Sequence, residues 1–401
     1  MMRVLHVVKT VEGAKWAVEQ VAELVRHGIE VHVALPQLSG RFIEQWYATG
    51  ARLHELAMDF PVREPWRLPS ILRSTRRLVD EVKPDLIHSH FFGTTLVLRY
   101  ALGKNHFIPR IFQVPGPLHL EHSFFRRWEI SSSGDSDYWI GSSRCILEHY
   151  RKAGVPENRL FLSYYGNRLQ SGASRQGGLR TRLGISDQDK VIGNINYLYP
   201  PKWYLGQTRG LKRHEDVIDA LGLVIAERSD VMGVLIGGQW GVGSGYESRL
   251  RKRAEQVGHG RIMMPGYMTA EEVRDAWADF DFAVHVPASE NCGGVVEPLM
   301  AAVPVIASQV GGLPEVVIDG VTGLLVESGN VEQLAETMIK ALDHMDGQRE
   351  MARCGRDLVV RMFDVSRTAM EVKGIYDHLL HGAKAPLFFE TRVFAMTGNQ
   401  N

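Results

Sequence analysis

Cysteine is scarce in this sequence: Cys145, Cys292 and Cys354 are the only three in 401 residues. An odd and widely spaced set builds neither a disulfide framework nor a zinc site, and it points to a reducing compartment. Net charge is absent too, with 46 Lys and Arg against 46 Asp and Glu. A dedicated nucleic-acid binder carries a basic excess, so that class is set aside. Long apolar runs are missing. No stretch reaches the roughly 18 residues of a spanning helix, and the opening MMRVLHVVKT is too short an apolar run for a signal peptide. Any membrane contact is therefore expected to be peripheral, and the expected location is the cytoplasm or the inner membrane surface. A G-x-G-x-x-G turn is also lacking, and the first strand–helix junction holds only Gly13. That argues against a nicotinamide enzyme.

What is present is ordinary globular composition, 44% hydrophobic and 23% charged, in a chain long enough for two or three domains. The balanced charge divides unevenly. Residues 1–170 hold 22 basic and 17 acidic side chains, and residues 171–401 reverse the difference. Arg63, Arg67, Arg73, Arg76 and Arg77 fall within fifteen residues. They read either as a solvated face or as a docking patch for an anionic acceptor or an anionic membrane surface.

Apolar runs alternate with helical patterns. Strands are predicted at Arg3–Val8, Ile29–Leu35, Asp85–His90, Ile111–Val114, Tyr138–Gly141 and Leu160–Tyr164, with helices at Ala14–His27 and Ser70–Val82. The polar, Gly- and Ser-rich stretch Arg168–Asp189 reads as a linker. Strands then resume at Val191–Leu198, Val231–Ile236, Ile262–Met264, Phe282–Val286, Val305–Ser308 and Leu324–Val326. Helices are expected at Lys212–Glu227, Ala270–Asp279, Glu297–Ala302, Val331–His344 and Ser366–Leu380. Such alternation implies parallel sheets and two doubly wound α/β domains. Ligands in such folds bind beyond the carboxyl ends of the strands, and a cleft between two domains is the default site.

The stretch ASENCGGVVEPLMAAVPVIASQVGGLPEVVIDGVTGLLV, ending at Val326, carries the richest chemistry. Gly293 and Gly294 let backbone approach a ligand, and the following helix start offers amides to a phosphate. Glu297 and Glu290 suit pairs of neutral hydroxyls. The plainer alternative makes Glu297 a helix cap and leaves Glu290 solvated.

This stretch resembles the signature of retaining glycosyltransferases of the GT-B fold, family 4. EPLMAAVPV, GGLPEVV and GVTGLLV match its three parts in order, except that Glu290 stands seven residues before Glu297 where the family has eight. The helix LKRHEDVIDAL matches the family's donor-site lysine helix. The resemblance implies two Rossmann-like domains facing a central cleft. Residues 1–170 would bind the acceptor, 171–188 would link, and 189–365 would bind the nucleotide-sugar donor. Residues 366–381 would form a helix returning to the first domain, and 382–401 a tail. Lys212 would contact the donor diphosphate, Glu290 the transferred sugar and Glu297 the ribose. Gly293, Gly294 and Val295 would line the phosphate, and the strand of Met264 would lead to the nucleobase.

The family's arginine after the preceding strand is missing from Asn196-Tyr197-Leu198, and Arg209 or Lys202 would replace it. The family's acceptor-domain histidine is replaced by Pro115, which leaves His119 or His122 to reach the sugar, while His88 and His90 would point to the cleft. Asp279-Phe280-Asp281 spells D-x-D but resembles the family's strand start, so no metal and no cofactor is expected. The implied reaction moves a sugar from a nucleoside-diphosphate donor, UDP before GDP, to a carbohydrate, lipid-linked or small-molecule acceptor with retention. A sugar-nucleotide epimerase on the same fold and a non-catalytic nucleotide-sugar binder are the alternatives.

Overall fold

The structure, a computed structural model, describes residues 1–168, 178–203, 206–240, 245–387 and 389. It divides into two compact units, Met1–Leu169 with Met362–Phe389, and Gln170–Arg361 with Glu390–Asn401.

The first unit holds strands β1 Arg3–Val7, β2 Glu30–Leu35, β3 Arg52–Glu55, β4 Leu86–Ser89, β5 Arg110–Val114, β6 Asp137–Gly141 and β7 Leu160–Leu162. They form one parallel sheet in the order β3-β2-β1-β4-β5-β6-β7. Helices α1 Lys15–Arg26, α2 Ile43–Ala48, α3 Leu68–Val82, α4 Phe92–Leu102, α5 Leu118–Glu121, α6 Ser123–Ser131 and α7 Arg144–Lys152 connect them. Side chains alternate across the pleat. Val4 and Val8 therefore enter a core with Val18, Val21 and Tyr376, whereas Leu5 and Val7 enter a second core with Leu78, Val79 and Val97 on the other face.

The second unit begins its described part with α8 Gly178–Leu183, inside the segment expected to be a linker. Its strands are β8 Lys190–Ile195, β9 Val231–Ile236, β10 Ile262–Gly266, β11 Phe282–His285, β12 Val305–Ser308 and β13 Leu324–Val326, in the parallel order β10-β9-β8-β11-β12-β13. Helices α9 His214–Glu227, α10 Tyr246–Gly258, α11 Ala270–Trp277, α12 Val296–Met300 and α13 Val331–Asp343 cover it. Their starts follow local chemistry: Thr269 and Glu272 form a capping box on α11, and the Asn330 side chain caps α13.

Helix α14, Met345–Met362, ends at the boundary of the two units, and α15, Val365–His381, belongs to the first. The α15 face bearing Ala369, Val372, Ile375 and Tyr376 is buried in the β1-side core. Asp364 caps this helix through the amide of Arg367 at 2.8 Å. Only residues up to 387, and 389, of the expected tail are described. No described helix is long and apolar enough to cross a membrane.

Candidate active site

Strand order reverses between β8 and β11, the position at which doubly wound sheets open a crevice beyond the strands' carboxyl ends. The side chains gathered there form one connected cluster. Lys212, on the turn entering α9, donates its Nζ to Oε2 of Glu290. His285, the last residue of β11, approaches the same oxygen with Nε2 at 3.2 Å. The other oxygen, Oε1, accepts the amide of Asn291 at 3.0 Å.

The hydrogen-bond directions are set from below. Asn194 Nδ2 donates to the carbonyl of Val284 at 2.7 Å, which turns its Oδ1 toward Asn196 Nδ2 at 3.4 Å. The Asn196 amide then faces His285 Nδ1 at 3.2 Å with a donor, so Nδ1 accepts and the Nε2 proton goes to Glu290. His285 is thereby a neutral imidazole with a fixed tautomer.

Two glycines make this packing feasible. A Cβ on Gly294 would lie 2.0 Å from His285 Nε2, and one on Gly311, whose φ is +54°, would lie 1.7 Å from the Glu290 carbonyl oxygen. Gly293 is exposed and has nothing within 4 Å of a Cβ, so a ligand can reach the backbone there.

Burial works to raise the Glu290 carboxyl, but the Lys212 charge and the His285 hydrogen bond outweigh it and hold the group well below the usual carboxylate range. His285 is lowered by burial first, against the pull of Glu290. Burial, then Lys212 and His285, push His214 down to about 3. Tyr199 is pushed up to about 12 by burial, with Glu290 adding to it.

The remaining expected residues are placed as follows. Glu297 is exposed in the first turn of α12, and Val295 is fully buried. The helix at this point has five residues, preceded by a 3-10 turn at Gly293–Val295, so its dipole is short. The Met264 side chain enters the core, and its carbonyl accepts Arg251 Nη1 at 2.6 Å. Arg209 is not brought to the Lys212 cluster. Its Nη1 pairs with Asp216 and lies 3.4 Å from Asp219, both on α9, and Asp219 also holds Arg253. Lys202 uses its backbone amide to bond Gln207 Oε1 at 3.0 Å. Tyr197, in the segment expected to carry an arginine, has its ring 5.1 Å from that of Trp240.

Both carboxylates of Asp279-Phe280-Asp281 are occupied in the frame of the unit. Asp279 Oδ2 accepts the amide of Leu179 at 2.8 Å, while Asp281 Oδ2 accepts Arg180 Nη2 at 2.8 Å and the Val191 amide at 2.9 Å.

In the first unit His119 lies between Phe92 and Phe112, with ring centroids 5.2 and 5.7 Å away. Burial, then the Arg99 charge, push it down to about 3. His122 packs on Phe125 at 4.9 Å. His88 and His90 do not reach the surface: both are fully buried, His88 on the central strand β4 against Tyr376 of α15, and His90 just beyond it against Trp16 and Tyr165. His6 Nδ1 lies 3.0 Å from His90 Nε2, and the Tyr376 hydroxyl of α15 bonds His88 Nδ1 at 2.5 Å and His6 Nε2 at 3.2 Å. His285 and His214 were missed by sequence reasoning. The signal for His285 was a lone histidine within the apolar FAVHVP, a pattern that equally fits a core strand, and that for His214 was its place two residues after Lys212 in LKRHEDVIDAL.

Two doubly wound parallel domains with this cluster at the second sheet's switch point define the GT-B class of fold. Residues 13–166 match the profile of Glycosyltransferase Family 4, and residues 202–357 match that of Glycosyl transferases group 1. Each half of the chain thus carries a domain that matches a glycosyltransferase family model. A GDP-mannose-dependent monoacylated alpha-(1-6)-phosphatidylinositol monomannoside mannosyltransferase of Corynebacterium glutamicum is 34% identical over 187 residues, 44% of each chain. N-acetyl-alpha-D-glucosaminyl L-malate synthase of Bacillus anthracis is 26% identical over 207 residues, 51% of this chain and 50% of its own. The match spans about half the length of these relatives. Among solved structures, Anabaena HepE, determined with UDP and glucose, has a TM-score of 0.76 over 94% of this chain and 100% of its own, at 18% identity.

Proposed function

We propose that the protein is a metal-independent glycosyltransferase that moves a sugar from a nucleoside-diphosphate donor to an acceptor hydroxyl or amine, with retention. The observation that carries this reading is Lys212, a largely buried cation held at the carboxyl ends of β8 and β11 by Glu290, three residues before the open backbone of Gly293. As the glycosidic bond breaks, negative charge grows on the departing diphosphate. A fixed cation in a partly desolvated pocket stabilises that charge without reorganising, which is where catalysis of this kind gains most. Glu297 is assigned to the ribose hydroxyls, and Glu290, once released from Lys212, to those of the sugar.

Turnover of UDP- and GDP-sugars by the wild-type chain and by Lys212→Ala tests the reading. We expect a new glycoside of retained configuration, turnover that persists in EDTA, and a loss of 10²- to 10³-fold in the variant, in the range seen when one transition-state donor is removed. An epimerised nucleotide with no glycoside would favour the epimerase, and a bound but unaltered donor would favour a non-catalytic binder.

The acceptor is assigned to the first unit and to anionic chemistry. Phosphatidylinositol and malate, in the relatives' names, both carry negative charge. On the first unit Arg73 and Arg77 are exposed on α3, close in sequence to Trp66, which is 71% exposed. The same surface suits peripheral contact with an anionic membrane. Arg73→Gln with Arg77→Gln should weaken acceptor use or sedimentation with anionic vesicles, and more so at low salt. An unchanged result in both assays returns α3 to a solvated face.

A further inference from the structure

The Lys212–Glu290–His285 cluster poses a problem for any diphosphate that enters it. Lys212 is the one cation the site reading supplies, yet it is already paired with a carboxylate, and both side chains are about five-sixths buried. Arg209, one of the two further candidate cations, is held by Asp216 and Asp219. A ligand phosphate therefore competes with Glu290 for the three N–H donors of Lys212, and full engagement of the phosphate draws the ammonium away from the carboxylate. A buried carboxylate without its cation is strongly disfavoured and reaches neutrality most readily by taking a proton.

We infer that donor binding is a partner exchange, in which the diphosphate displaces Glu290 from Lys212 and the Glu290–His285 pair left behind takes up one proton from solvent. This rests on the donor-site reading above. The groups facing the pair support the direction. Lys212 and His214 enter from the turn and start of α9, Tyr199 from the segment after β8, and Asn194 and Asn196 from β8 and its end. β12 brings Ala307 opposite His285, which adds no charge. Withdrawing Lys212 and adding phosphate charge both favour the protonated pair.

The proton belongs to the pair as a unit. If it settles on His285, Nδ1 becomes a donor and the Asn196 amide must turn over to present its oxygen. If it settles on Glu290, the existing Asn196 contact is kept. In either case Glu290 acts in the free site as an internal competitor of the donor.

Calorimetric titration of the full chain with UDP and with GDP, neither of which carries a sugar, in buffers of different ionisation enthalpy tests this directly. Wild type should take up between half and one proton near pH 7.5, and its Kd should rise up to about tenfold per pH unit above the pair's free-state titration. In Glu290→Gln, which frees Lys212 and leaves no unpaired carboxylate to drive protonation of itself or of His285, uptake should vanish and binding should tighten tenfold or more. Nucleotide binding by wild type without proton uptake overturns the exchange while leaving the donor site standing. So does a Glu290→Gln variant that still takes up the proton or binds no tighter. No binding of either nucleotide by wild type defeats the donor-site reading itself, and the exchange with it. The buffer series on wild type decides the matter even if Glu290→Gln does not fold.

Discussion

Glu290 stays ionised inside the second unit because two neighbours offset its burial, and one of them, His285, depends on a position with no side chain at all. The Cβ of any residue replacing Gly294 would fall 2.0 Å from the imidazole. Overpacking of this kind costs about 1–3 kcal/mol. Gly294→Ala should therefore lower unfolding free energy by about that amount, while the same change in a His285→Ala background should cost only a few tenths of a kcal/mol. Denaturant titration of the four proteins measures it. Equal costs in both backgrounds would show that the loop needs Gly294 for another reason. At this scale Lys212 and Glu290 could be read in the sequence because they stand in a recognisable motif. His285 could not, since its role arises only when the fold carries the end of β11 to a carboxylate five residues on. Arg209 has the right charge, but two α9 carboxylates within ten residues take hold of it first.

Among the elements, strands buried on both faces were plain in the sequence. VMGVLI, all six residues buried, runs from Val231 to Ile236 as expected, and the fully buried strand Val305–Ser308 falls on its expected residues, as does the short edge strand Leu324–Val326, of which only Val326 is buried. A short exposed edge strand and a helix of mainly polar composition were not visible, although the clearly amphipathic helices α1 and α3 were. β3, Arg52–Glu55, is an edge strand with no buried residue, and α10 hides Tyr246, Leu250, Ala254 and Gly258 beneath a basic exterior. Helix α8 lay in a stretch whose composition reads as linker. It is fixed by Arg180, which pairs with Asp281 and also bonds the carbonyls of Asp279, Ser186 and Asp189. The D-x-D spelling is thus explained by a clamp. Arg180 and Asp281 side chains are only 2% and 10% exposed, so removing the cation strands a buried charge. We expect Arg180→Ala to destabilise the second unit by about 3–5 kcal/mol, with nicking by protease around residues 178–183 under native conditions. Wild-type stability and protease resistance would show that α8 is held by something else.

Over the whole molecule, neutral histidines are buried in both units. His6 and His119 are pushed down to about 3 and His88 and His90 well below their ordinary value, in each case by burial first. In the second unit His214 falls to about 3 and His285 is lowered. A group whose folded pKa is depressed is neutral when folded and gains a proton on unfolding. Its contribution to stability is complete above the unfolded value of about 6.5 and is lost as pH falls toward the folded value. The acid side of neutrality should thus erode both units, at up to about 1.4 kcal/mol per pH unit for each histidine. Glu371 of α15, raised by burial, works in the opposite direction and offsets at most one histidine in the first unit. Glu290 adds its own loss only below the ordinary carboxylate value of 4.5. Between pH 6.5 and 4.5 the slope is therefore set by the histidines. Urea titrations at pH 7.5, 6.5, 5.5 and 4.5 should show unfolding midpoints that are steady across the first pair and fall steeply across the rest, and His119→Phe should flatten the fall by about one histidine's share. The two units need not unfold together, so each resolved transition is followed separately. Midpoints that hold from pH 7.5 to 4.5 would mean that these imidazoles find protons, or water, inside the folded chain.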